Sequence, residues 1–199
     1  MSIEVVAVND ARSCASCIKI NLREATERDR RKIYEWLAHS DLTPSMMGPP
    51  QFPDHVVPTW EEFCRDYLPY YFDGSQPNRG RCFIIVANQD DVGVVCYNAL
   101  RGHNATDVDI WLRSEADCGK GFGSEALRNL ADYLNKEYGV TQIAVSPSAR
   151  NRRAIAAYKK AGFQLIPTER QHEFLKPEEM EYTDNVVLVK AYMHNESCK

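Results

Sequence analysis

The chain has 199 residues, with 24 Lys+Arg against 28 Asp+Glu, a formal net charge of -4 and 44% hydrophobic residues. That size and balance fit one soluble folded domain. No apolar run reaches the roughly 20 residues of a membrane-spanning helix, and the N-terminus lacks the basic-then-apolar order of a secretory leader. A cytoplasmic protein with no membrane partner is therefore expected, and the acidic balance argues against a general nucleic-acid partner.

Seven cysteines stand at 14, 17, 64, 82, 96, 118 and 198. The odd count, scattered through a chain long enough to build its own core, argues against a disulfide framework. Cys14 and Cys17 form a C-x-x-C pair, but no second pair stands at zinc-site spacing, so no metal site is expected. Residues 1–17 read as a flexible N-terminal arm and residues 18–199 as a single domain.

Ile18, Ile20 and Leu22 alternate with polar residues, the period-2 pattern of a half-buried strand. Thr26, with Asp29 three positions on, opens a helix that carries Ile33, Tyr34 and Leu37 on one face and ends near His39. Five prolines between Leu42 and Pro58 exclude a regular element and predict a long ordered loop or lid. A short helix from Thr59 is expected to send Trp60, Phe63, Tyr67 and Leu68 inward before Pro69, and an aromatic cluster, Tyr70 to Phe72, follows. The runs 82–87 and 92–100, separated by 88–91, read as a hairpin, and Thr106 to Leu112 extends the meander.

The pattern then changes. Gly119, Gly121 and Gly123 precede a helix whose stripe is Ala126, Leu127, Leu130, Ala131 and Leu134. A strand at 140–145, a loop at 146–150, a helix at 151–161 closed by Gly162 and a last strand at 185–192 complete the chain. The run C-G-K-G-F-G between strand and helix outlines an anion site, because glycines let the backbone approach a ligand and aim N–H groups at it. It fits neither a dinucleotide fingerprint, since several strands precede it, nor a P-loop, since no Gly-Lys-Ser/Thr follows.

Downstream, N-R-R-A-I-A-A-Y-K-K-A-G-F (Asn151 to Phe163) completes a pair of motifs that resembles the GNAT superfamily of N-acetyltransferases. Gly121 and Gly123 match the first motif, Arg/Gln-x-x-Gly-x-Gly/Ala, with Cys118 departing from it in the Arg/Gln position; Asn151, Ala154, Tyr158, Gly162 and Phe163 match the second. The resemblance covers about residues 18–192 and implies an α/β (α+β) fold: a mixed, mostly antiparallel sheet of about six or seven strands, splayed at the cofactor, with helices on both faces.

It implies acetyl-coenzyme A as cofactor. Cys118, Gly119, Lys120, Gly121, Phe122, Gly123 and Ser124 would surround the pyrophosphate. Ile110, Trp111 and Leu112 would offer strand backbone to the pantetheine arm, and Asn151, Ala154 and Lys160 would line its far side. Tyr158 would bind there and protonate the departing thiolate, a step suited to a phenol that is protonated at pH 7. The core tyrosine is the alternative for that position. The chain looks most like the aminoglycoside 6′-N-acetyltransferases, through I-Y-E-W-L (Ile33 to Leu37), D-Y-L-P (Asp66 to Pro69) and an aspartate, Asp109, ten residues before the first loop glycine. That aspartate is the proposed base there, although the stretch after the first helix, Pro44 to Gly48, departs from the group.

An alkylammonium acceptor must lose a proton before attack. Asp109 and Asp107 are the candidates, sharing one strand face with Trp111. Glu35, Trp36 and Tyr67 are candidates for holding the cationic acceptor, with Trp60, Tyr70 and Tyr71 as further cleft aromatics, and His103 reads as a hairpin tip. The enzyme expected is an acetyl-CoA-dependent N-acetyltransferase with a small-molecule amine as partner, working as monomer or homodimer; an acetyltransferase of protein N-termini and a silent coenzyme-A-binding module are the alternatives. Residues 113–160 carry nine Lys+Arg against five Asp+Glu, a balance of +4 that suits coenzyme A phosphates, and leave -8 for the remainder, which suits a cationic acceptor.

Overall fold

Residues 82–87 are apolar at every position because the strand they form is covered on both faces. In the computed structural model, which describes residues 19–46, 57–101, 105–174 and 185–192, this strand lies inside a seven-stranded sheet. The strands are β1 (Ile20–Glu24), β2 (Arg81–Ala87), β3 (Asp90–Tyr97), β4 (Ala105–Leu112), β5 (Gln142–Val145), β6 (Gln164–Leu165) and β7 (Leu188–Ala191), in the spatial order β1-β2-β3-β4-β5-β7-β6. All neighbours are antiparallel except β4 and β5. The helices are α1 (Glu27–Ala38), α2 (Thr43–Met46), α3 (Trp60–Asp66), α4 (Tyr70–Asp73), α5 (Phe122–Tyr138) and α6 (Arg152–Lys160). The arm at 1–17 with its C-x-x-C pair, residues 47–56 of the proline-rich stretch and the His103 turn lie outside the described residues.

Successive side chains of a strand point to opposite faces, and β2 and β3 serve two cores in this way. Phe83, Ile85, Val95 and Tyr97 pack with the α5 stripe of Ala126, Leu127, Leu130, Ala131 and Leu134. Cys82, Ile84, Val94 and Cys96 pack on the other face with Ile33, Tyr34, Phe63, Tyr71 and Phe72 from α1, α3 and α4. Trp111 of β4 joins the second core and donates its indole N–H to the Ile33 carbonyl at 3.3 Å. Among the described residues no helix is long and apolar enough to cross a membrane.

Several expected features take a different form. The hairpin turn is two residues long, Asn88 and Gln89, both at positive φ (51° and 73°), so β3 starts at Asp90 rather than 92 and ends at Tyr97 rather than 100. Two-residue turns of that handedness match the strand twist, and asparagine tolerates them. Residues 43–46 of the expected loop form a helical turn. Leu68 stays 37% exposed, because α3 ends at Asp66 before the stripe reaches it. Among the described residues one disulfide is present: β2 and β3 place Cys82 directly opposite Cys96, with Cα atoms 4.2 Å apart, and the two are bonded. The pairing comes from strand register, which cysteine spacing in the sequence does not reveal.

Asp29 shows how α1 is anchored. Its Oδ2 accepts from the Thr26 backbone N–H and hydroxyl, both at 3.0 Å, while Arg23 donates to its two oxygens at 2.9 and 2.8 Å and Lys32 lies 2.9 Å away. The Arg23 hydrogen bonds, more than any other contact, hold this carboxyl well below the usual carboxylate range. A depressed native value stabilises the fold in full above the ordinary carboxylate range, and that contribution is lost only as pH falls below this range and through the depressed native value. Asp29→Asn is therefore expected to cost about 1–2 kcal/mol at pH 7, since Arg23 and Lys32 are part-exposed, and only somewhat less at pH 3, where the native carboxyl is still ionised. Urea unfolding at the two pH values checks this; a loss that had vanished at pH 3 would contradict it.

Candidate active site

The β4–β5 ladder pairs only Ala105–Asp107 with Gln142–Ala144. Beyond Asp107 the two strands diverge, and the gap opens beside Ile110, Trp111 and Leu112. A cavity of about 320 Å³ lies there, lined also by the glycine loop, the first turn of α5 and α6. Its walls include Cys118, Gly119, Gly121, Gly123 and Ser124 on one side and Asn151, Ala154, Tyr158 and Lys160 on the other.

Local sequence explains this shape. Gly121 caps α5 at φ 87° and Gly119 sits at φ 72°, a left-handed backbone that residues with a Cβ adopt at a cost. The first intrahelical bond of α5 runs from the Glu125 N–H to the Gly121 carbonyl at 3.1 Å, so the N–H groups of Phe122, Gly123 and Ser124 precede the helical ladder. They and the positive end of the helix dipole favour an anion at the cavity mouth. Ser124 ties α5 to α6 through a 3.2 Å bond from its hydroxyl to the Ala157 carbonyl. Asn151 caps α6, its side-chain oxygen accepting from the Ala154 N–H at 3.0 Å. Gly121→Ala strains that turn and is expected to raise the KM for acetyl-coenzyme A about tenfold with a smaller change in kcat. An unchanged KM in steady-state assays would contradict this.

A second cavity of about 220 Å³ adjoins the first and shares Ile110, Trp111 and Tyr158 with it. Asp107 and Asp109 of β4 line it with Tyr67, Leu37, Met46 and the Ser146–Pro147 turn. The Tyr67 hydroxyl donates to Asp109 at 3.4 Å and its ring stands edge-on to Trp111, the centroids 5.7 Å apart. Burial, and then the charge of Asp109, push the phenols of Tyr67 and Tyr158 well above their usual range, so both stay protonated at neutral pH. Carboxylates and aromatic rings line this side, an arrangement suited to a cation.

The acetyltransferase (GNAT) domain family matches residues 19–164, most of the chain. The chain belongs to the GNAT acetyltransferase family. Within the curated relatives, an aminoglycoside N(6′)-acetyltransferase type 1 of Klebsiella pneumoniae is 30% identical over 156 residues, covering 73% of this chain and 74% of the relative. Among solved structures, that of AAC(6′)-Ib in complex with paromomycin and acetyl-CoA has a TM-score of 0.65 at 23% identity, covering 86% of this chain and 93% of the other. A ribosomal L7/L12 alpha-N-protein acetyltransferase in complex with coenzyme A is similar in fold too, with a TM-score of 0.66 at 20% identity over 89% and 96% of the two chains.

In this GNAT acetyltransferase the expected cofactor-side residues gather around the larger cavity, Lys120 excepted: its ammonium turns to Asp117 at 3.9 Å and to the Phe122 ring. Cys118 lines the wall with its thiol pushed up, chiefly by burial. Asp109, Asp107 and Tyr67 meet at the smaller cavity. Glu35 and Trp36 are not brought there. Glu35 pairs with Arg31 at 2.7 Å on the outer side of α1, and Trp36 is buried in the second core. Trp60 stacks on Phe63 in the same core. Residues the sequence reading passed over also take part. Arg153 lines the larger cavity and pairs with Glu115, and Arg101 pairs with Asp107. A search for a basic residue inside the N-R-R-A motif could have found Arg153; nothing local marks Arg101.

Proposed function

We propose that this GNAT acetyltransferase transfers the acetyl group of acetyl-coenzyme A directly, in a ternary complex, to a primary amine of a small polycationic acceptor of the aminoglycoside type, at the 6′-amino position. The observation that carries the reading is that the two cavities meet at Tyr158, with Asp109 on the acceptor side. The acetyl donor fits the residues present. The α5 N-terminus suits its pyrophosphate, and the stretch of β4 beyond its pairing with β5 can pair with its pantetheine amides. When bound it supplies an activated thioester carbonyl.

Asp109 accepts a proton from the acceptor ammonium and leaves a neutral amine able to attack that carbonyl. As the carbon–sulfur bond breaks, Tyr158 delivers its proton to the departing sulfur, and the second proton shed by the nitrogen as it becomes an amide returns to the phenolate. Asp107, Asp109 and the faces of Tyr67 and Trp111 hold the acceptor's positive charge. The acceptor assignment draws support from the 30% identical relative and from this carboxylate-and-aromatic lining.

A thiol-release assay with acetyl-coenzyme A and aminoglycosides, polyamines and N-terminal peptides tests it. Aminoglycosides are expected to give a kcat/KM at least tenfold above the others. A peptide acting best would replace the acceptor assignment with the protein N-terminus.

A further inference from the structure

Asn98, one residue beyond β3, has no part in the mechanism above, yet its side chain touches both acceptor-side carboxylates. Its Nδ2 donates to Asp107 at 2.6 Å and to Asp109 at 3.0 Å, and its Oδ1 accepts from the Tyr71 hydroxyl at 2.7 Å. The backbone is held as well: the Asn98 N–H donates to the Asp107 carbonyl at 3.0 Å, and its carbonyl accepts from the Thr106 hydroxyl at 2.9 Å. Ionised carboxylates only accept hydrogen bonds, so the amide must face them with its nitrogen. Burial, and then the neighbouring Tyr70, keep the Tyr71 phenol protonated and able to lock the amide oxygen. Tyr71 in turn packs on Gly80, where the φ of 140° and the closeness of the Tyr71 ring leave no room for a Cβ.

We propose that Asn98 is a positioning residue for acetyl transfer, fixing the Asp109 carboxylate at the acceptor cavity and holding it beside Asp107. The inference rests on the reading of Asp109 as the base. Among the described residues, the groups facing Asp109 include Asp107 on its own strand, paired with Arg101; Asn98 from the end of β3; Tyr67 from the end of α3; Tyr71 from α4 and Tyr158 from α6. Two carboxylates at alternate positions of one strand repel each other, and one amide group giving an N–H to each offsets that repulsion. Its loss favours the protonated forms and frees the carboxylate to turn.

The test compares wild type with Asn98→Ala and Tyr71→Phe in full pH profiles, with coenzyme A affinity measured by calorimetry. Asn98→Ala is expected to lower kcat about tenfold or more at pH 7, to move the low-pH limb of kcat upward by about one unit, and to leave coenzyme A affinity within twofold. Tyr71→Phe keeps the ring and is expected to move the limb in the same direction by less. A uniform fall in kcat at all pH values, with the limb unmoved, would overturn the proposal. Should Asn98→Ala not fold, an unmoved limb in Tyr71→Phe overturns it equally. Absence of amine-dependent thiol release from the wild-type protein would instead refute the proposed function, which keeps the two failures distinct.

Discussion

Tyr158→Phe is expected to lower kcat by about a hundredfold while leaving the KM for acetyl-coenzyme A within about twofold. The substitution keeps the ring that packs against Phe163, with centroids 5.9 Å apart, and removes only the hydroxyl, so the loss reports proton delivery rather than shape. Tyr158 is 9% exposed and lines both cavities. Its phenol is raised by burial first and by Asp109 second. A raised phenol holds its proton further into alkali, so wild-type kcat is expected to show no decline from this group below about pH 10, the ordinary tyrosine value. Equal kcat in the two proteins would remove Tyr158 from the reaction.

Asp109→Asn is expected to reduce kcat by about a hundredfold or more near neutral pH, with partial recovery as the pH rises. Wild type gains activity as Asp109 ionises and accepts the proton of the bound ammonium. The asparagine variant must wait for acceptor that has already lost its proton in solution, and that fraction grows toward the ordinary alkylamine range. The low-pH limb should therefore be replaced by a rise that tracks the acceptor amine. A variant with the wild-type limb would leave Asp109 as a cation-holding carboxylate only. Raised salt should increase KM for both substrates, since both are charged and meet oppositely charged walls.

What could be read in the sequence was what local pattern encodes. The alternation in β4 set Asp107, Asp109 and Trp111 on one face, and they share it: the two carboxylates stand at the acceptor cavity and Trp111 closes its floor against α1. The glycine spacing and the Asn151 cap marked both walls of the larger cavity. Glu35 shows the limit of this reasoning. The I-Y-E-W-L segment is a sound helix, but which flank of α1 meets the sheet is decided by packing on Ile33, Tyr34 and Trp36, and that turns Glu35 toward Arg31. Asn98 and Arg101 were invisible for a different reason, and Tyr71 was legible only as a cleft aromatic. Their roles come from contacts between β3, α4 and β4 that no spacing rule joins, and an asparagine near a strand end reads as a turn residue. The Cys82–Cys96 bond likewise depends on register, which the two-residue turn and the irregularity between Ile85 and Val86 set together.

The central claim is direct transfer between two ligands held at once on either side of Tyr158. Initial rates of thiol release, measured while acetyl-coenzyme A and kanamycin are varied together, test it most directly. The expected result is a family of intersecting lines, no thiol release without the amine, and one acetyl group on the product's 6′-nitrogen. Parallel lines with thiol release in the absence of amine, or coenzyme A binding without release for any amine, would contradict it.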